Sequence, residues 1–123
     1  MIKLVYCLRR RANISPEEFY RYWLNTHAPK VKNAAAKMRA VRYVQSHTCA
    51  PELNQAFVVS RGLAPPYDGI TEVWWNSIED LKAAMAGAAG AEAMAMLRED
   101  ESQFIDFSQS CVFLTTEHLI FDR

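Results

Sequence analysis

The sequence predicts an α+β fold in which four antiparallel strands form one sheet and helices cover one of its faces. Four short segments rich in β-branched and aromatic residues alternate with two longer segments that carry an apolar stripe at helical spacing. Their order is β-α-β-β-α-β, so each main helix joins two strands of the same sheet. A length of 123 residues suffices for one domain with its own core. We therefore expect residues 1–123 to form a single domain.

The first strand and the first helix follow each other along the chain. Residues 2–9 are mostly β-branched, aromatic or apolar and predict a strand. Ser15 suits the N-cap of the helix that follows, and Pro16 suits its first position. The stripe of this helix comprises Phe19, Tyr22, Trp23 and His27. Because Pro29 disfavours helical geometry at the preceding residue, we expect a kink or short break just after His27 and a second helical stretch over 30–38.

The middle of the chain predicts the second and third strands. Residues 40–48 have the composition of a strand, and residues 70–75 form a strongly apolar one. Between them, residues 49–67 contain three prolines and one glycine, which predicts a long connection. Within this connection, residues 52–60 have room for a short helix.

The second main helix and the last strand complete the pattern. Ser77 suits the N-cap of a helix whose apolar stripe comprises Leu81, Ala84, Met85 and Ala88. Gly87 weakens this helix, and we expect a further helical segment over 91–101. Residues 111–121 predict the fourth strand.

This order of elements predicts the ferredoxin-like arrangement, with both main helices on one face of the sheet. An antiparallel sheet with one face in water should alternate polar and apolar residues. The first strand instead has Leu4 and Tyr6 on one side and Val5 and Cys7 on the other. Since the helices cover only one face, we expect a homodimer in which the two sheets face each other.

Composition and charge exclude several classes of protein. The 14 basic and 14 acidic residues leave no net positive charge to displace the counterions of a nucleic acid, so no nucleic-acid partner is expected. No apolar run is long enough to span a membrane, and the first residues lack the pattern of a signal peptide. We therefore expect a cytoplasmic protein with no membrane partner. The cysteines, Cys7, Cys49 and Cys111, have neither disulfide nor zinc-site spacing.

Two segments carry a resemblance to a known family. Residues 19–29 resemble the Phe-x-x-Tyr-Trp-x-x-x-His-x-Pro segment of EthD-domain proteins, and residues 67–81 are similar to the family's third strand and second helix. The resemblance implies a dimeric α/β-barrel with a cavity between sheet and helices. It also implies a range of functions: an accessory protein of ethyl tert-butyl ether degradation, dehydratases and decarboxylases acting on polyketides, and, more distantly, cyclases, cofactorless monooxygenases, lactone isomerases and heme proteins. Fold alone does not choose among these.

His27 is the leading candidate for a catalytic residue. It follows Trp23 by four residues and therefore lies on the buried stripe of the first helix. Burial disfavours a charged imidazole, whereas the end of a helical turn favours it. Such opposing effects can keep a histidine near neutrality, as acid/base catalysis requires. The structural alternative is a histidine that bonds a carbonyl at the kink. The resemblance favours the catalytic role.

Six residues are candidates for substrate binding: Trp23, Tyr43, His47, Tyr67, Asp68 and Trp74. Tyr43 and His47 share a strand face with Gln45 and would form a polar patch if that face lines the cavity; otherwise they lie at an exposed strand end. Trp74 and Trp75 point to opposite faces, so one packs under a helix and the other is a candidate cavity wall, with core packing as the alternative for both. The resemblance implies that Tyr67 and Asp68 lie at the cavity mouth, although Tyr-Asp-Gly is also an ordinary turn sequence.

The sequence leaves the function open between two main hypotheses. The first is a cofactor-independent acid/base enzyme of the lyase, dehydratase, cyclase or isomerase type, acting on a hydrophobic oxygenated small molecule through His27. The second is a non-catalytic accessory protein that binds such a ligand for an oxidative degradation pathway. A third possibility is a dimer whose cavity its own side chains fill. No phosphate or dinucleotide motif is present, and the three histidines lie on separate elements, so neither a cofactor nor a metal is expected.

Overall fold

A computed structural model describes all residues from 1 to 123. The strands are β1 (Ile2–Leu8), β2 (Arg42–His47), β3 (Gly69–Trp75) and β4 (Cys111–Thr115). The α-helices are α1 (Pro16–Tyr22), α2 (Ala28–Ala34), α3 (Pro51–Arg61), α4 (Ile78–Ala86) and α5 (Ala88–Glu101). A π-helical turn, Trp23–His27, joins α1 to α2, and a 3₁₀ turn, Phe107–Gln109, precedes β4. None of the helices is both long and apolar enough to cross a membrane.

The four strands form one antiparallel sheet in the order β2-β3-β1-β4. This is the ferredoxin-like, α+β arrangement that the element order predicts, and the prediction is confirmed. The central strand β1 pairs Leu4 with Val73 of β3 on one side and with Leu114 of β4 on the other. β2 and β4 are therefore the two edges of the sheet.

The first helix begins as predicted, but it continues where a break was expected. The Ser15 hydroxyl accepts a hydrogen bond from the Glu18 backbone N–H at 3.2 Å, which fixes the start of α1. Instead of a break after His27, the chain forms the π-helical turn and runs on into α2. Pro29 has no N–H to donate to the carbonyl four residues earlier. The wider turn accommodates this, because the Ala28 N–H reaches back five residues to the Trp23 carbonyl.

The last strand is shorter than the apolar run that predicts it. Residues 111–121 were expected to be extended, but β4 ends at Thr115. Thr115 pairs with Lys3, and β1 begins only one residue before Lys3, so β4 has no further partner. The apolar side chains beyond it are exposed: Leu119, Ile120 and Phe121. The long connection, which had room for a short helix, contains the 11-residue helix α3.

The two faces of the sheet have different surroundings. The inner face, which packs against the helices, carries Leu4, Tyr6, Tyr43, Thr71, Val73, Trp75, Val112 and Leu114. The outer face carries the alternate residues, among them Val5, Cys7, Ile70, Trp74 and Phe113. Of these, Phe113 is 50% exposed and Ile70 is 37% exposed. The single chain therefore leaves apolar side chains of the outer face in contact with water.

The core consists of three apolar clusters between the inner face and the helices. One is centred on Phe19, Trp23 and Phe104, a second on Val31 and Leu97, and the third comprises Ile2, Trp75 and Leu81. Side chains from all three clusters line the same cavity, so the clusters surround an open volume instead of merging into one core.

Helices α4 and α5 approach each other closely at Gly90. A Cβ atom at this position would lie 2.0 Å from the Ala84 carbonyl oxygen, which is a backbone atom. Only glycine fits this approach. The break between the helices lies at Gly87, where the sequence predicted that the helix would be weakened.

Candidate functional site

The cavity between the sheet and the helices is almost entirely apolar. Its volume is about 390 Å³, enough for a small organic molecule. Of the 18 residues that line it, 15 are hydrophobic, and the other three are His27, Thr71 and Glu101. Trp23 forms part of its wall, as expected for a substrate-binding candidate. Polar chemistry in this cavity therefore depends on very few groups.

His27 and Asp100 form a buried pair at one side of the cavity. The π-helical turn directs the His27 ring inward, where its Nδ1 atom lies 2.7 Å from Asp100 Oδ2 at the end of α5. The two residues are only 5% and 7% exposed. Asp100 Oδ1 accepts further hydrogen bonds from the Tyr22 hydroxyl at 2.5 Å and from Lys30 Nζ at 2.7 Å. The carboxylate is thus held on three sides.

These contacts fix the charge of Asp100 and the tautomer of His27. Burial alone would raise the pKa of Asp100, but the hydrogen bonds from Lys30, Tyr22 and His27 together hold that pKa below its ordinary value. An ionised carboxylate only accepts hydrogen bonds, so His27 Nδ1 carries the proton and Nε2 carries the free lone pair. Burial lowers the pKa of His27 and outweighs the opposing effect of Asp100. The imidazole is therefore neutral at pH 7, with one basic nitrogen.

A second titratable group, Glu101, lines the same cavity. Burial is the main reason that its pKa rises to about 7, and the neighbouring Asp100 charge raises it further, while Tyr6 and Arg98 oppose the rise. Tyr6 also lines the cavity, and burial together with the proximity of Glu101 raises the pKa of its hydroxyl. Glu101 forms no salt bridge, in contrast to Asp100, whose carboxylate pairs with Lys30.

The predicted patch of Tyr43, Gln45 and His47 is a hydrogen-bonded chain, of which only Tyr43 lines the cavity. Gln45 Nε2 donates to the Tyr43 hydroxyl at 2.8 Å and to the Trp23 carbonyl at 2.9 Å. Its Oε1 atom lies 2.8 Å from His47 Nε2, so that nitrogen carries a proton. The His47 ring stacks on Trp23 with centroids 4.5 Å apart. His47 therefore lies behind the cavity wall and supports it without lining the cavity.

Trp74 does not form a wall of the cavity, whereas its neighbour Trp75 does. Trp74 lies on the outer face, where the Arg42 guanidinium stacks 4.6 Å from its ring and its Nε1 donates to Glu117 at 2.5 Å. Trp75 lines the cavity instead and donates from Nε1 to the Met38 carbonyl at 2.8 Å. Successive residues of a strand point to opposite faces, so the register of β3 decides which tryptophan faces inward.

Tyr67 and Asp68 are also outside the cavity, because they form the turn into β3. Asp68 Oδ2 accepts a hydrogen bond from the Arg10 backbone N–H at 2.8 Å, and its carbonyl accepts one from the Tyr20 hydroxyl at 2.8 Å. The Arg9 guanidinium lies 4.4 Å from the centre of the Tyr67 ring. These contacts assign both residues to the local structure of the turn and not to the cavity mouth.

Sequence reasoning missed Asp100, Glu101 and Tyr6. Asp100 and Glu101 end an alanine-rich helix and look like ordinary surface acids along the chain. The available signal was the helical spacing, because Asp100 follows the buried Ala93 and Leu97 on one face of α5. No group of three or more His, Cys, Asp or Glu side chains is arranged to hold a metal ion.

The fold and the site define a class: a small ferredoxin-like α+β domain with an apolar cavity and one buried histidine–carboxylate pair. Within that class the chain belongs to the EthD-domain family, whose model matches residues 11–108. The resemblance found in the residues is thereby confirmed. Among curated proteins, none matches the chain.

Solved structures similar to this chain agree with the fold. An ethyl tert-butyl ether (EthD) family protein from Bacillus halodurans is 18% identical with a TM-score of 0.62, covering 96% of this chain and 99% of its own. SnoaB, a cofactor-independent oxygenase from Streptomyces nogalater, is 14% identical with a TM-score of 0.55, covering 99% and 97%. A dimeric protein with a ferredoxin-like fold from Bacteroides fragilis is 10% identical with a TM-score of 0.58, covering 93% of both chains.

Proposed function

We propose that the chain is a cofactor-independent acid/base enzyme that acts on a hydrophobic, oxygenated small molecule. The observation that carries the proposal is the 2.7 Å contact between His27 Nδ1 and Asp100 Oδ2 beside an otherwise apolar cavity. Proton transfer of this kind serves dehydration, cyclisation, decarboxylation or isomerisation. The similarity to SnoaB, itself described as a cofactor-independent oxygenase, fits a site that works without a bound cofactor.

In this proposal His27 is the catalytic base and Asp100 is its positioning residue. Asp100 holds the Nδ1 proton, so Nε2 is the nitrogen left to abstract a proton from a carbon next to a ligand carbonyl. Asp100 also stabilises the imidazolium that forms, while Lys30 and Tyr22 keep its carboxylate ionised. The low pKa of His27 lets it return the proton readily. The apolar wall limits the amount of water that would compete for the base.

We further propose that two copies associate through the outer faces of their sheets. Val5, Ile70 and Phe113 lie on that face with part of their surface exposed, and the helices leave them uncovered. Burying them against a second copy would remove this apolar surface from water. A solved relative with the same fold is described as dimeric.

Isotope exchange tests the proposed base directly. The probe is 2-acetonaphthone, an aromatic ketone whose methyl protons are acidic, incubated with the protein in D₂O. Abstraction of a methyl proton by His27 gives an enolate, and return of a deuteron from the exchanged imidazolium gives the labelled ketone. We expect deuterium uptake, followed by mass spectrometry, to fall about a hundredfold or more in His27→Ala. His118→Ala is the matched control, because His118 is exposed on the C-terminal segment.

A variant that is folded and dimeric but exchanges deuterium as fast as the wild type would remove His27 from the mechanism. Circular dichroism and light scattering establish whether each variant is folded and dimeric. The accessory-protein hypothesis has one observation in its favour, the scarcity of polar groups among the cavity residues. It predicts that the wild-type protein binds the ketone and returns it with unchanged mass after long incubation.

A further inference from the structure

Two neighbouring carboxyl groups at the end of α5 have opposite environments. Asp100 accepts hydrogen bonds from three side chains and is turned toward His27 and Lys30. Glu101 lines the cavity and has no ion-pair partner. Its polar neighbour is the Tyr6 hydroxyl on β1. A carboxyl group so placed is available to a molecule in the cavity, whereas the Asp100 carboxylate is not.

The cavity wall contains no lysine or arginine that could balance a charge on Glu101. Arg98 lies on the same helix but is exposed, and Asp100 adds a like charge beside it. An ionised carboxylate in these surroundings would lose most of its hydration and gain only the neutral Tyr6 hydroxyl as a partner. The neutral acid, which has one O–H to donate, is therefore the form that the site favours below about pH 7.

We propose that Glu101 acts as a carboxylic acid that donates a hydrogen bond to an oxygen atom of the ligand. The cavity then selects uncharged ketones and phenols and rejects the corresponding carboxylates. A carboxylate ligand would meet apolar walls and no cation in the cavity lining, and so would enter without compensation. This role rests on the proposed function only in that it requires the cavity to be the ligand site, since a binding protein would use Glu101 in the same way.

Glu101 is the cavity group that titrates between pH 7 and pH 8.5. His27, facing the cavity from the π-helical turn, has a lowered pKa and is already neutral in this range. Asp100 stays ionised, and burial raises the pKa of both Tyr6 and Tyr43 above its ordinary value, so neither hydroxyl loses its proton. A change in ligand affinity over this range therefore reports on Glu101.

Binding of a matched pair of probes tests the proposal. The pair is 2-acetonaphthone and 2-naphthoate, which share their ring system and differ in charge. Quenching of the fluorescence of Trp23 and Trp75, which line the cavity, reports binding. At pH 6 we expect the ketone to bind about tenfold or more tightly than the carboxylate. Between pH 7 and pH 8.5 we expect ketone affinity to fall by up to about fifteenfold, as a pKa of about 7 requires when only the acid form binds.

Two variants separate Glu101 from the rest of the helix. Glu101→Gln keeps the size and a hydrogen-bond donor but does not titrate, so ketone affinity should become independent of pH. Glu99→Gln removes an exposed carboxylate from the same helix and should behave as the wild type. The comparison of the two probes on the wild-type protein needs no variant and remains decisive if Glu101→Gln does not fold.

Equal binding of ketone and carboxylate at pH 6, or an unchanged pH dependence in Glu101→Gln, would overturn the role of Glu101. Binding of neither probe at any pH would overturn it as well. Each of these results is separate from the deuterium uptake measured with His27→Ala, on which the proposed catalysis depends. The experiments can therefore refute hydrogen bonding from Glu101 to the ligand while they support His27 as the base. They can also refute His27 as the base while they support the role of Glu101.

Discussion

The ionisation of Glu101 should lower the stability of the wild-type protein as the pH rises. Replacing Glu101 by glutamine should abolish this effect. Folding raises the pKa of this group from 4.5 to about 7. A group whose pKa is raised by folding contributes its full stability below its unfolded-state pKa, here pH 4.5, and loses it as the pH passes the folded-state value. The raised pKa corresponds to about 3 kcal/mol of unfolding free energy, an upper value because Glu101 is only partly buried.

Urea denaturation followed by circular dichroism at pH 5 and pH 8.5 measures this effect. The difference between wild type and Glu101→Gln is the quantity to compare, because Asp100 and His27 have lowered pKa values and act in the opposite direction, losing stability as the pH falls. We expect the variant to gain about 2–3 kcal/mol relative to the wild type between the two pH values. Glu99→Gln should gain nothing. A variant that follows the wild-type pH dependence would refute the buried, uncompensated environment assigned to Glu101.

Three further predictions test the site, the core and the dimer. In Asp100→Asn the amide N–H donates to His27 Nδ1, so the ring proton moves to Nε2, and nitrogen NMR would show this tautomer. Deuterium uptake should then fall about a hundredfold or more. Unchanged uptake would contradict the positioning role of Asp100. Gly90→Ala places a Cβ 2.0 Å from the Ala84 carbonyl oxygen and should cost about 1–3 kcal/mol in urea denaturation, so wild-type stability would contradict the close approach. Phe113→Glu should give monomers in light scattering, and a persistent dimer would contradict association through the outer sheet face.

Much of the fold could be predicted because its signals are local. Ser15 and Ser77 cap their helices through contacts to residues three positions away, which the sequence shows directly. The end of β4 depends on where β1 begins, so the apolar run to residue 121 overestimated its length. The π-helical turn was also missed, since Pro29 indicates that a regular helix is disturbed but not how the chain adapts.

The site was predictable only where one element determined it. His27 lies on the apolar stripe of its own helix, so its inward direction followed from spacing. Helical spacing could have assigned Asp100 to the buried face of α5, but its contact with His27, 73 residues away, depends on how α5 packs, which no local pattern encodes. The choice between Trp74 and Trp75 depended on the register of β3, and a shift of one residue exchanges the faces.

The π-helical turn makes the site sensitive to the number of residues in it. Leu24 and Asn25 are exposed there, so other side chains at these positions would leave the imidazole where it is. Adding a residue to the turn would rotate His27 by about 100° around the helix axis, away from Asp100, whereas deleting one would leave Trp23 and His27 three residues apart on one face of a regular α-helix. Evolution is therefore free to vary the chemistry of these surface positions, while an insertion between Trp23 and His27 would take the imidazole out of the cavity without altering a single residue of its wall.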